Sequence, residues 1–289
     1  MGVDPVWVLM ALLSALLWAA ASLVDKLAVN WEFRTLEILP ATYTAGFIVV
    51  AWRQPSLSEL WQAEHIISGT VLAVFSLLNA VALLMALRCG KVGMVSIVAG
   101  SHCVITAATA QILFSEQLQV GQWCAILGAF LGLILVFGAN EKQMDNNDCP
   151  PRKNPYRWFW LALLAAIGSS GETIALKYAT NLSAGAQHSL IWEYFFASLA
   201  CHALVAFYVV RLRFSSSLFG VMDGLLTGLG MLTFGVALSL GPASLVATVA
   251  TAAVMFRALG GICFFGDRAE PRQWLGFAIL ATSFVLVQL

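Results

Sequence analysis

Glu141 to Tyr156 reads EKQMDNNDCPPRKNPY, the one long polar stretch in a chain of 289 residues, and it falls at the middle. What lies on either side is apolar. The chain is 60% hydrophobic and 10% charged, with a mean hydropathy of +0.86. A soluble domain carries about a quarter charged residues, because water must wet its surface. Here the wetted surface is missing, so the solvent is a membrane. A helix needs about 20 apolar residues to cross hydrocarbon. Ten such stretches are legible, at 6–25, 36–53, 66–88, 92–114, 120–139, 157–177, 187–210, 217–238, 243–265 and 272–289. The expected fold is all-α, a polytopic membrane protein of ten transmembrane helices.

The polar stretch divides these ten into five and five, which suggests a duplication. Sliding the sequence by 151 residues aligns both halves without a gap. Lys26, Ala28 and Asn30 then fall on Lys177, Ala179 and Asn181; Tyr43 falls on Tyr194, and Gly90 on Gly241. Gln122-Trp123 falls on Gln273-Trp274. Leu and Ala matches are cheap in a membrane protein, whereas Lys, Asn, Tyr and Gln-Trp matches are not. The expected organisation is a first repeat at 1–140, a polar linker at 141–156 and a second repeat at 157–289. An odd number of spans per repeat inserts the second one upside down. Inverted repeats place a substrate site near the midplane and open it to alternate sides.

Charge supports a membrane reading and excludes others. The 15 basic and 15 acidic residues cancel, so there is no basic face for nucleic acid. Connections after odd-numbered spans hold Lys26, Arg34, Arg88, Lys91, Lys142, Arg152, Lys153, Arg157, Arg211, Arg213, Arg268 and Arg272. Those after even-numbered spans hold Arg53 and Lys177, and Arg257 lies within a span. The positive-inside rule then puts odd connections in the cytoplasm and both termini outside. The leader Met1–Pro5 has no positive charge, so the first helix is expected to stay rather than be cleaved. Short termini and tight loops point to a prokaryotic cytoplasmic (inner) membrane. No Cys-x-x-Cys or Cys/His spacing calls for a metal, and no cofactor is expected.

Two blocks carry a family resemblance. Ala86-Leu87-Arg88-Cys89-Gly90-Lys91-Val92 leads to Phe114-Ser115-Glu116 and then Gln122; Ala237-Leu238 leads to Phe265-Gly266-Asp267 and Gln273. These resemble the drug/metabolite transporter superfamily, specifically its EamA-like members, over nearly the whole chain. In that family each repeat has an Ala-Leu and small-residue turn before its fourth helix, which ends in Phe, a small residue and Glu. Asp267 departs from the Glu. The resemblance implies both termini in the cytoplasm, against the charge count. It implies transport, with substrates ranging over amino acids, sugars, nucleotide-linked compounds, amines and drugs.

Positions where one repeat is polar and the other apolar are the candidates for a site. Glu172 aligns with Ala21, His102 with Ala253, Arg257 with Thr106, and Glu193 with Thr42. A charge at the bilayer centre costs about 2.5–3.5 kcal/mol on insertion scales, so it needs a partner or a wet cavity. Arg257 and Glu172 are expected as opposite-charge anchors for a zwitterion. An amine becomes the better substrate if a second carboxylate, such as Glu193, already neutralises Arg257. His102 and Trp18 shape the pocket, the latter on a stripe of Ser14, Trp18, Ser22 and Asp25 at helical spacing. Glu172, a protonatable group at the midplane, is the candidate for proton coupling. The competing reading of the charged residues is a buried ion pair that fixes helix register; for Trp18 it is packing. Asp25 and Asp223, nearer span ends, are expected at the interface, and Glu116 and Asp267, where helices turn, are expected to serve capping or loop structure.

The function expected is secondary-active transport of a small polar metabolite, an amino acid, amine or similar zwitterion. The alternative is a lipid or lipid-linked-sugar translocase, which needs a cavity open sideways to lipid. Intramembrane catalysis lacks any HExxH, GxSxG or paired catalytic Asp motif, so no enzyme is expected. The expected partners are a small-molecule substrate and the bilayer, with the chain a monomer or homodimer.

Overall fold

The computed structural model describes residues 6–30, 35–52, 57–89, 92–137, 156–182, 185–207, 214–265 and 270–287, and among them every regular element is an α-helix. In order these are α1 (Val6–Asn30), α2 (Thr35–Ala51), α3 (Leu57–Leu60), α4 (Ala63–Cys89), α5 (Val92–Gly100), α6 (His102–Leu113) and α7 (Val120–Phe137). Then come α8 (Arg157–Thr180), α9 (Ala186–Phe207), α10 (Phe214–Leu240), α11 (Ala243–Ala250), α12 (Ala252–Phe265) and α13 (Pro271–Leu286). Helix follows from the solvent. Hydrocarbon offers backbone groups no partner, and a helix pairs them within one segment. The chain is a multi-pass membrane protein, because seven helical stretches are long and apolar enough to cross: Val6–Ala28, Ala63–Leu83, Val95–Leu113, Arg157–Thr180, Ala186–Phe207, Phe214–Leu240 and Ala243–Phe264. Glu37–Ala51 and Val120–Val136 are shorter apolar helices.

Helices lie on all ten expected stretches, but as thirteen pieces among the described residues. One piece is the extra turn α3. Two more arise because two apolar runs are interrupted at hydroxyl residues. The Ser101 N–H bonds Val98 O at 3.2 Å, the Val104 N–H bonds Ser101 O at 3.0 Å, and Ser101 Oγ donates to Val98 O at 2.7 Å. Thr251 repeats this: its N–H reaches Thr248 O at 3.2 Å, the Val254 N–H reaches Thr251 O at 3.0 Å, and Oγ1 donates to Thr248 O at 2.6 Å. Bonds to the third residue back tighten one turn to 3₁₀ geometry without leaving the carbonyl unpaired. The linker up to Pro155, Gly90 and Asp267 lie outside the described residues.

Packing is set by small residues. α1 packs on α10 and α4 on α8; α2 packs on α10 and α9 on α4; α7 packs on α13 and α2 on α9. A Cβ on Gly128 would meet Ser283 Oγ at 2.6 Å, and one on Gly132 would meet Leu280 Cγ at 2.6 Å. A Cβ on Gly228 would sit 3.1 Å from Gly46 Cα. The Gly-x-x-x-Gly pairs Gly128/Gly132, Gly220/Gly224 and Gly224/Gly228 are therefore consumed by contacts inside the chain, where such pairs allow backbones to approach.

Polar side chains close the helix ends. Glu116 accepts from the Ala243 N–H at 2.6 Å, the Ser244 N–H at 3.2 Å and Ser244 Oγ at 2.5 Å, and so caps α11. A carboxylate suits the positive end of a helix and supplies its orphan N–H groups. Lys177 does the converse, donating to Leu238 O at 2.5 Å and Gly241 O at 2.9 Å where α10 ends. The two matched glutamines share a capping role in α7 and α13: Gln122 Oε1 accepts the Gln119 N–H at 3.0 Å and Gln273 Oε1 the Glu270 N–H at 3.0 Å, and Gln273 Nε2 also donates to Val136 O at 2.9 Å. Glu116→Ala is expected to lower the thermal midpoint in detergent by a few degrees, from a cap worth about 1–2 kcal/mol. An unchanged midpoint would show the cap to be idle.

Candidate functional site

Two polar groups lie between the helices, one built on carboxyl pairs and one on mixed charge. In the first, α8 presents Glu172 and α9 presents Glu193, whose carboxyl groups lie within electrostatic reach of each other. Ser76 of α4 stands beside both. Ser76 Oγ lies 3.2 Å from Tyr43 Oη on α2. Glu193 is 1% exposed and its Oε2 has no hydrogen-bond partner. Two carboxyl groups brought together can share a proton, since a protonated one donates and an ionised one accepts. The pair is thus a place where a single proton can reside between four helices.

Tyr43 and Tyr194 pack ring on ring behind it, centroids 5.9 Å apart at 55°. Tyr194 lies over Gly46, where a Cβ would come within 2.2 Å of its Cε1. Beyond the tyrosines stands the second group. Asp223 of α10 accepts from Thr227 Oγ1 at 3.4 Å and stands beside Thr42 of α2. It feels the charge of Asp25 on α1, and Asp25 in turn feels Arg257 on α12. Tyr194 lies within electrostatic reach of Glu193, Glu172 and Asp223, so it stands between the two groups.

The sequence-derived site residues divide between these groups. Glu172 and Glu193 come together. Arg257 does not join them; its charge partner is Asp25, because α12 packs on α1 while α8 faces α4 and α9. One turn along α12 Gly260 packs on α1, where a Cβ would meet Leu23 Cδ1 at 2.6 Å, while the Arg257 and Asp25 side chains stay exposed. Trp18 packs on α10, its ring 5.0 Å from Phe234 at 55° and its Nε1 against Gly230. His102 begins α6 just after the tightened turn at Ser101, and its buried Nδ1 has no hydrogen-bond partner. Asp25 and Asp223, expected at the interface, belong to the group around Arg257. Ser76 and the tyrosine pair were not singled out as site residues, although the match of Tyr43 with Tyr194 was the signal that could have found them.

Residues 5–138 match the EamA-like transporter family. This part of the chain belongs to that family. The EamA-like region supplies Trp18, Asp25, Tyr43, Ser76 and His102, whereas Glu172, Glu193, Asp223 and Arg257 come from beyond it. Members of the EamA-like family are transporters rather than enzymes. One solved crystal structure superposes with a TM-score of 0.78 over 97% of this chain and 95% of its own, at 16% identity. At that identity the likeness speaks for the fold alone. No curated protein matches the sequence.

Proposed function

We propose that this EamA-like protein is a secondary transporter of a small polar metabolite, an amine, amino acid or similar zwitterion, coupled to protons through Glu172 and Glu193. The observation that carries the reading is the approach of those two carboxyl groups to each other, beside Ser76, among α4, α8 and α9. A site that holds one proton can release it when an ammonium group arrives, which links the two fluxes. Asp25, Asp223 and Arg257 offer the second polar end, on the far side of the tyrosines. His102 and Trp18 remain candidate lining residues.

The two halves are proposed to be inverted five-helix repeats that rock against one another. Several local features support this. α1 on α10 becomes α8 on α4 when the halves are exchanged, and α2 on α10 becomes α9 on α4. The capping glutamines and Tyr43 with Tyr194 repeat at the spacing found in the sequence, and the tightened turns at Ser101 and Thr251 at one residue less.

The test is flux in liposomes holding the purified protein, with and without an imposed proton gradient, across amine and amino-acid substrates. Uptake that rises with the gradient is the expected result. Uptake indifferent to pH on both sides would remove the coupling. Transfer of fluorescent lipid between leaflets, with no metabolite flux, would favour the translocase.

A further inference from the structure

A second polar feature faces outward rather than inward. Between α2, α9 and α10 lies a cleft of about 280 Å³, bounded by Glu37, Pro40, Thr44, Ile48, His202 and Leu225 among others. Its apolar walls are open to the side, with Ile48 55% and Leu225 42% exposed, so in a membrane they face lipid. Glu37 is 7% exposed, and its Oε2 has no hydrogen-bond partner. An acidic residue in the first turn suits the helix dipole, but this leaves Oε2 still unpaired.

Thr44 and His202, along the wall, already spend their donors within the chain. Thr44 Oγ1 donates to Pro40 O at 2.7 Å, so in its 2.9 Å contact with Ser198 Oγ it accepts. His202 Nδ1 donates to the Ser198 carbonyl at 2.8 Å, since a carbonyl can only accept. That leaves Nε2 of a neutral His202 as an acceptor. Pro40 has no N–H to give. A ligand for this wall must bring its own N–H donors, and positive charge complements Glu37. From Glu37 to Ile48 the helix rises about 16 Å, the scale of an acyl chain rather than of a soluble amine. The volume is at the small end for a ligand site, enough for a headgroup and the start of a chain.

We propose that this cleft is a binding site for a phospholipid with a primary ammonium headgroup, the ammonium on Glu37 and one chain along Ile48 and Leu225. Phosphatidylethanolamine fits; phosphatidylcholine brings the charge without N–H donors, and phosphatidylglycerol brings neither.

The experiment counts lipids retained by the purified full-length chain in native mass spectra, after exchange into nanodiscs of phosphatidylcholine mixed with an equal part of phosphatidylethanolamine or phosphatidylglycerol. Phosphatidylethanolamine should be retained preferentially, and Glu37→Gln should weaken that preference by about tenfold or more, the loss of a charge-assisted hydrogen bond. Ile48→Trp, at a lipid-facing position that the fold does not need, should lower retention by filling the chain track; this arm stands even if the Glu37 variant fails to fold. Equal retention of all three lipids, or a preference that survives both variants, overturns the proposal. So does competition by free phosphoethanolamine as strong as by the lipid, or a dimer that Ile48→Trp dissolves, which would make the occupant a second copy.

Discussion

Glu172→Gln is expected to reduce flux to that of protein-free liposomes while the purified protein keeps its elution profile and melting behaviour. Glutamine has nearly the shape of the acid, and its amide can donate to Glu193 where the acid would offer a proton. Its place beside Ser76 can also be kept. What the amide cannot do is lose a proton and become an anion. The variant therefore separates the structural role of the group from its chemistry. Glu172→Ala would not, because it leaves Glu193 buried with fewer partners, a defect of the fold in its own right. Flux at the native rate in Glu172→Gln would take that residue out of the mechanism and leave the pair as a device for fixing helix register.

The largest effect on the fold is expected at Gly224. A Cβ there would be 2.1 Å from the Thr42 carbonyl oxygen and 2.9 Å from Ala45 Cβ. The obstacle is backbone, so no rotamer change relieves it; α2 and α10 must separate. Overpacking of this kind costs about 1–3 kcal/mol or more, and Gly224→Leu should yield little monodisperse protein. Transport should fall in Gly224→Ala even where protein is recovered, since Asp223 loses its alignment on Thr42. Gly121 is the control. Nothing lies within 4 Å of a Cβ built there, so Gly121→Ala should melt at or slightly above the native temperature. Equal yields and melting points for the Gly121 and Gly224 variants would contradict the close approach of α2 to α10.

Much of the fold was readable because apolar length and punctuation are local properties. The stretches at 157–177 and 243–265 carry α8 and α11 with α12, and Gly241 marks the turn between α10 and α11. Glu116 caps a helix end as its position suggested. The turns at Ser101 and Thr251 were not readable, because a single 3₁₀ step inside an apolar run changes neither hydropathy nor length. The pairing of charges was not readable either. Sequence gives the depth of Glu172, Glu193 and Arg257 along their helices but not how each helix is rotated toward its neighbours. Depth alone made Glu172 and Arg257 natural partners; rotation gives Glu172 to Glu193 and Arg257 to Asp25.

The cap on α11 also bears on motion. Glu116 belongs to the first half of the chain and Ser244 to the second, so these three hydrogen bonds clasp one half to the other at a single face of the bundle. Water can replace each bond as the clasp parts, so its net strength is only a few kcal/mol. Should the halves rock against one another as proposed, this clasp adds only that much to the work of parting them here.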